Sequence, residues 1–241
     1  MGPLALIAGG VLVLAWFYLT IRTAERAGRE PLLSTALFRN RTSNLGMVTQ
    51  NTQWLLLSGV SFVVAAYLQV VMGYDAIQTG VIFTAETGGL LVASLAAGRL
   101  ARRFAQRGLI ITGFPLTIAG ILLLVTMGGG TASVWAFVPG LLLIGLGLGL
   151  MLTPSVNVVQ SSFGDAQQGE ISGLSRSISN LGSSLGTAIA GTILVAGITT
   201  TPERSYGLAM LALATVGLGG LAATLLLPRT PAPTPATTST P

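Results

Sequence analysis

Apolar residues form seven long runs along the chain, and shorter polar segments separate them. Each run approaches the length of about 20 residues that a helix needs to cross a bilayer. The runs lie near 4–21, 51–72, 78–99, 109–127, 134–155, 176–198 and 206–227. Strands of a membrane barrel would alternate apolar and polar residues over about 10 residues, and the run 141–152 shows no such alternation. The pattern therefore predicts an all-α membrane protein with seven transmembrane helices.

The composition agrees with a membrane protein and excludes several kinds of chemistry. Charged residues make up 8% of the 241 residues and hydrophobic residues 51%, whereas a soluble domain carries about 25% charged residues. The chain has no Cys, His or Lys. Disulfides, Cys- or His-ligated metals and a Lys Schiff base with retinal are therefore excluded. We expect no enzymatic activity, no cofactor, no metal site and no nucleic-acid partner.

The distribution of Arg predicts the orientation in the membrane. Eleven of the 12 basic residues, all of which are Arg, fall on one side of the predicted spans: Arg22, Arg26, Arg29, Arg39, Arg41, Arg99, Arg102, Arg103, Arg107, Arg176 and Arg229. Arg204 alone falls on the other side. Since loops rich in Arg stay in the cytoplasm, we expect a multi-pass protein of the inner cell membrane, with its N-terminus outside. The Pro/Thr-rich residues 228–241 predict a disordered cytoplasmic tail.

Four segments between the apolar runs carry a family resemblance. They are Pro31–Arg41 (PLLSTALFRNR), Tyr67–Gly80 (YLQVVMGYDAIQTG), Gly98–Gly108 (GRLARRFAQRG) and Gly169–Gly186 (GEISGLSRSISNLGSSLG). In this order they resemble the C-terminal half of the fourteen-span drug:proton antiporters of the major facilitator superfamily, across residues 1–227. The resemblance implies one extra helix followed by a six-helix bundle of two inverted three-helix repeats. It also implies proton-coupled export of drugs or small metabolites by alternating access.

Two alternatives to a working exporter stay open. One is a truncated or split half-transporter that is inactive alone, and the other is a non-transporting seven-helix sensor or scaffold. The expected partners are the lipid bilayer, protons and a small-molecule substrate that is cationic or amphipathic. An N-terminal transporter half or a second copy of the chain is expected to complete the assembly.

The loop between the third and fourth predicted spans departs from the family pattern. The superfamily motif reads roughly Gly-x-Leu-x-Asp-Arg-x-Gly-Arg, and the corresponding residues here are Gly98, Leu100, Arg102, Arg103, Arg107 and Gly108. Arg102 stands where Asp is expected. The charge-relay latch that the resemblance attributes to that Asp is therefore in doubt for this loop. The arginines of this loop are candidates for orienting the protein or for contacting anionic lipid headgroups.

Glu86 is the only acidic residue inside a predicted span. A charged side chain deep in the membrane costs about 2.5–3.5 kcal/mol on insertion scales, so we expect Glu86 to face a cavity or a partner rather than lipid. Desolvation favours a neutral acid over a carboxylate. Glu86 is therefore a candidate for proton coupling or for recognition of a cationic substrate. The alternative is a hydrated, structural Glu near the outer mouth.

The span near 51–72 carries polar and aromatic residues at helical spacing. The candidates for lining a substrate path are Trp54, Ser58, Ser61 and Gln69. Hydrogen bonds between helices are the alternative role for such residues. Gln50, Asn51 and Gln53, at the cytoplasmic end of the same span, are expected to be interfacial.

Two GxxxG patterns predict close helix packing. They consist of Gly145 and Gly149 in the fifth span, and of Gly182 and Gly186 in the sixth. Small residues spaced in this way allow two helix backbones to approach each other.

Arg176 differs from the other arginines because it lies at the entrance of a predicted span. Asp165 and Glu170 precede it in the chain. An ion pair with one of them is a hypothesis for its role, and the sequence does not choose between the two.

Overall fold

The structure is a computed structural model that describes residues 41–101, 103–127, 134–161 and 167–227, together with scattered residues between 9 and 23. These ranges contain helices and turns and no strand. Six helices within them are long and apolar enough to cross a membrane. The all-α membrane fold is thus confirmed. The first predicted span, near 4–21, lies largely outside the described residues, and the tail 228–241 lies wholly outside them.

The six spanning helices follow one another with short connections. They are α1 (Arg41–Ala66, extended by a π-helical turn Tyr67–Val71), α2 (Ala76–Leu100), α3 (Gln106–Met127), α4 (Phe137–Gln160, after a 3₁₀ turn Val134–Ala136), α5 (Gln168–Gly197) and α6 (Pro202–Leu225). Two helices begin before their predicted spans, α1 at Arg41 rather than near 51 and α5 at Gln168 rather than near 176. Their first turns are polar. Hydropathy detects the apolar part of a helix, and the helix itself continues beyond that part.

The connection between α1 and α2 is tight, and its residue types explain why. Gly73 has a φ of 73°, a left-handed conformation that glycine adopts without steric cost. Asp75 then caps α2: the Gln78 N–H donates to Asp75 Oδ1 at 2.7 Å, and the Asp75 N–H donates to Gln78 Oε1 at 3.0 Å. This capping box satisfies two N–H groups at the start of the helix.

The helices pack as a ring of four with one helix added at each side. α1 contacts α4, α4 contacts α3, α3 contacts α6, and α6 contacts α1. Outside this ring, α2 packs on α4, while α5 packs on α1 and α6. The first helix of each three-helix group therefore packs on the second helix of the other group. Two inverted repeats predict this reciprocal arrangement.

Three aromatic side chains cluster at one end of the ring. The ring of Tyr67 lies 4.5 Å from that of Tyr206 and 6.4 Å from that of Phe137, measured between centroids. All three side chains are buried. The Tyr206 hydroxyl donates to the Leu124 carbonyl oxygen at 3.4 Å, so the cluster connects α1, α3, α4 and α6.

The glycines of the two GxxxG patterns lie where two helices touch backbone to backbone. A Cβ added at Gly145, Gly149, Gly182 or Gly186 would meet the carbonyl group of Glu86, Leu90, Asn51 or Leu55, respectively. The first pair of glycines thus sets the α4–α2 contact, and the second pair sets the α5–α1 contact. In both contacts the residue numbers rise together, so the two helices run parallel.

A larger side chain at Gly145 is expected to destabilise the α2–α4 contact. In Gly145→Val the new Cβ would press on the Glu86 carbonyl oxygen, and overpacking of this kind costs about 1–3 kcal/mol. Thermal unfolding of the purified protein in detergent measures the effect. Gly88→Val is the matched control, because no atom lies within 4 Å of a Cβ placed there. Equal melting temperatures for the two variants would contradict this account of the contact.

Candidate functional site

Two buried glutamines in the N-terminal half of α1 connect that helix to its neighbours. Gln50 Nε2 donates to Ser175 Oγ and to Ser179 Oγ of α5, both at 2.8 Å, and Ser175 Oγ donates back to Gln50 Oε1 at 3.0 Å. Gln53 Nε2 donates to Ser155 Oγ of α4 at 2.5 Å. All five side chains are buried. The expectation that the glutamines are interfacial is therefore wrong. They lie well inside a helix that begins at Arg41, where α4 and α5 cover them.

These hydrogen bonds distinguish the two edges of the α1–α5 contact. On one edge Gln50 bonds to Ser179. Gln53 lies one turn further along α1 and donates to Ser155 of α4. The edge that carries Gln50 and Ser179 is therefore the one nearer α4. On the opposite edge, Asn51 Nδ2 donates to the Ile178 carbonyl oxygen at 3.0 Å.

Polar and aromatic side chains continue along the edge nearer α4, on both helices. We call this surface the trough, and it consists of Trp54, Ser58 and Ser61 on α1 and of Arg176, Asn180, Ser183 and Thr187 on α5. The α1 residues follow Gln50 at helical spacing, and Ser183 and Thr187 follow Ser179 in the same way. Arg176 and Asn180 are exposed, and the other five are half-buried. Polar side chains at the surface of a spanning helix are costly against lipid, so the trough fits contact with protein, water or a solute.

A separate groove follows the opposite edge of the same contact. It has a volume of about 400 Å³ and is lined by Asn44, Met47, Val48, Asn51, Ile178 and Leu181. Most of these side chains are apolar, in contrast with the trough.

Glu86 lies apart from the trough, on the face of α2 that packs against α4. The buried residues of this face are Thr79, Ile82, Glu86, Gly89, Ala93 and Ala97. The Glu86 side chain is 4% exposed, and its backbone carbonyl faces Gly145. Its Oε1 atom has no hydrogen-bond partner among the described residues. A buried carboxylate that accepts no hydrogen bond is unfavourable. The Glu86 carboxyl group is therefore suited to carry a proton.

The structure brings three of the predicted path-lining residues together and separates the fourth. Trp54, Ser58 and Ser61 share the trough with the polar face of α5. Gln69 lies in the π-helical turn at the C-terminal end of α1, where it is exposed.

The residues of the predicted loop motif between α2 and α3 have unequal environments. Gly98, Arg103 and Gly108 are exposed, Leu100 ends α2, and Arg102 is outside the described residues. Arg107 instead bonds to the end of α6: its Nη2 donates to the Leu225 carbonyl oxygen at 2.7 Å, and its Nε donates to that of Thr224 at 3.3 Å. A cation at a helix C-terminus satisfies free carbonyls and opposes the helix dipole. Arg107 thus ties the start of α3 to the end of α6.

The polar face of α5 is a candidate surface that sequence reasoning missed. Its signal was present, because polar residues recur at 176, 180, 183 and 187 with helical spacing.

The ion pair predicted for Arg176 had Glu170 and Asp165 as candidate partners. Glu170 does not form it, because Arg176 makes no hydrogen bond or ion pair with the described residues, and Asp165 lies outside them.

Comparison with known proteins identifies similar sequences. A family model described as Major Facilitator Superfamily matches residues 1–187. The tetracenomycin C resistance and export protein of Streptomyces glaucescens is 31% identical over 195 residues, which cover 79% of this chain and 35% of that protein. The puromycin resistance protein pur8 of Streptomyces alboniger is 29% identical over 191 residues, covering 78% of this chain and 37% of that protein.

A mycobacterial protein shows a similar degree of identity. The multidrug resistance protein Stp of Mycobacterium tuberculosis is 27% identical over 179 residues, covering 74% of this chain and 33% of that protein. The matched region therefore spans roughly a third of the length of each of these three relatives.

Proposed function

The chain belongs to the Major Facilitator Superfamily, and we propose that it supplies the second half of an exporter of drugs or small metabolites. The names of its relatives refer to drug resistance and export, which points to transport rather than catalysis. The observation that carries the proposal is the trough, a polar and aromatic surface on spanning helices. Such a surface suits contact with a solute that crosses the membrane.

Alternating access is the transport mechanism that this arrangement supports. The six helices form one tightly packed bundle, since α1 is bonded to both α4 and α5. A bundle of this kind rocks as a unit against a second bundle, exposing a site between them to either side of the membrane in turn. The second bundle is either an N-terminal transporter half or a second copy of this chain.

Glu86 is our candidate for proton coupling. Its carboxyl group is buried at the α2–α4 contact and has no donor among the described residues for Oε1. Glu86 is not one of the trough residues and lies on a helix that packs on α4 rather than on α5, which favours proton coupling over recognition of a cationic substrate. Release of the proton would leave a charge at this helix contact, and helix movement would relieve the desolvation of that charge.

We also propose an inner-membrane location with the C-terminus in the cytoplasm. If the Arg distribution sets the orientation, a reporter fused after Arg229 is expected to report cytoplasm, and one inserted near Gly129 is expected to report the outside. A Cys introduced at Arg103, which is exposed, should resist impermeant reagents in intact cells. Labelling of that Cys from outside would reverse the proposed orientation.

A bulky residue in the trough tests the transport proposal. Ser58 is half-buried and makes no hydrogen bond to another helix among the described residues, so Ser58→Trp adds bulk to the trough without breaking a hydrogen bond between helices. In cells that produce the chain with the first half of a relative, we expect export of ethidium and carboxyfluorescein to fall about fivefold, a change of about 1 kcal/mol.

The control for this experiment is Val70→Trp, on the exposed outer end of α1. That variant adds the same side chain outside the trough and is expected to export both dyes normally. Equal export by the two variants, at similar protein levels, would remove the trough from the transport path.

A further inference from the structure

We propose that Arg176 recognises a carboxylate or phenolate group of the substrate, so that the trough favours anionic aromatic molecules over cationic ones. This inference rests on the proposed function and names the substrate class for the same surface. It differs from the cationic substrate that the sequence suggested, because that suggestion depended on Glu86.

Arg176 stands apart from the other arginines whose side chains the structure describes. Arg107 is engaged by the carbonyls at the end of α6. Arg99 and Arg103 are exposed at the cytoplasmic end of α2, and Arg204 lies at the outer start of α6. Arg176 lies on the trough, is exposed, and has no hydrogen bond or ion pair with the described residues. It is therefore the guanidinium group of the trough that remains available to a solute.

The charge of the trough is positive within the part of the chain that the structure describes. Asp75 and Glu203 lie at the outer starts of α2 and α6, Glu86 is buried against α4, and Glu170 belongs to the first turn of α5. None of these acids is among the seven trough residues. A cationic solute would meet Arg176 without a compensating carboxylate there, whereas an anionic solute would gain an ion pair.

The register of α1 and α5 places the charge at the cytoplasmic mouth of the trough. Gly182 lies against Asn51, and Gly186 lies against Leu55, so Trp54 lies level with the stretch between those glycines. Arg176 precedes that level by roughly two turns of helix. A solute would thus meet the guanidinium group first and the indole ring deeper in the trough.

The side chains at these levels match an aromatic anion. A guanidinium group presents a planar fork of donors that fits a carboxylate. An indole ring offers an apolar face to an aromatic system. Asn180 and Ser183 lie between the two levels on α5 and offer hydrogen bonds to polar substituents.

Transport of two dyes of opposite charge tests the inference. Inverted vesicles containing the chain and a first half from a relative are assayed for uptake of carboxyfluorescein, an anion, and ethidium, a cation. We expect Arg176→Gln to raise the KM for carboxyfluorescein about tenfold with little change in kcat, because it removes one ion pair. Ethidium uptake should stay the same or rise. Arg176→Lys keeps the charge but loses the planar fork, so an intermediate KM is expected.

Arg99→Gln is the control, since it removes an exposed cytoplasmic Arg that is not on the trough. Two results would overturn anion recognition and leave the transporter proposal standing: an equal loss of both dyes in Arg176→Gln, which is the behaviour of a structural or bundle-pairing residue, or transport of ethidium without carboxyfluorescein by the unmodified chain. Transport of neither dye would overturn both proposals.

Discussion

Cells that produce this chain alone are expected to export neither ethidium nor carboxyfluorescein above the level of an empty vector, and co-production of a matching first half is expected to restore export. The trough is a surface on one bundle, and its side chains are half-buried or exposed in the chain by itself. A transport site that alternates between two sides requires a second wall. Without that wall, the polar face of α5 would also stand against lipid, which is unfavourable.

Immunoblotting of membranes provides the control for this experiment, because the lone chain must be present at a level similar to that in the co-producing cells. Export by the lone chain at the rate of the assembled pair would contradict the need for a separate first half. It would indicate that two copies of the chain face each other, and crosslinking between copies through a Cys at Ser184, which is exposed on α5, would then be expected.

In the assembled transporter, Glu86→Gln is expected to reduce pH-driven efflux about tenfold or more, a difference of about 1.4 kcal/mol in the limiting step. Gln keeps nearly the same shape and cannot release a proton. The level of protein in the membrane should stay near that of the unmodified chain, because removal of a buried ionisable group does not raise the cost of insertion. Glu86→Asp keeps the carboxyl group with a shorter reach and is expected to retain part of the activity.

Glu203→Gln is the matched control, since Glu203 is an exposed acid in the first turn of α6. Efflux along a pH gradient by this variant should be unchanged. If Glu86→Gln abolished export of ethidium and left export of neutral substrates intact, cation recognition would replace proton coupling as its role. Unchanged efflux of both classes of substrate would leave Glu86 a structural residue.

The local features that the sequence predicted well depend on short-range properties. Hydropathy located six apolar stretches that the structure shows as helices. In lipid the backbone N–H and C=O groups of such a stretch must bond to each other, and a continuous helix achieves this. The spacing of Gly145 and Gly149, and of Gly182 and Gly186, marked faces where a backbone can approach. Small side chains permit such an approach irrespective of which helix makes it.

The partners of these faces, and the roles of most polar residues, depend on tertiary contacts. Gln50 reads as an interfacial residue beside a span, yet its partners Ser175 and Ser179 lie more than one hundred residues away in the chain. In the sequence Arg107 looks like one of several loop arginines. The carbonyl groups that it binds also belong to residues more than one hundred positions away in the chain. A hydrogen bond between helices leaves no periodic trace in either segment, so hydropathy and spacing do not reveal it.

The sequence by itself therefore determined that this protein is an all-helical membrane protein with GxxxG faces, an Arg-rich side and a carboxyl group within a span. The residue composition, the spacing of small residues and the length of the apolar runs set those properties. All three can be measured within one segment of the chain. The tertiary structure decided that Trp54, Ser58 and Ser61 share a surface with the polar face of α5, and that Glu86 lies away from that surface, against α4. That division follows from which side of each helix its neighbours cover, and only the packing of the six helices specifies those neighbours.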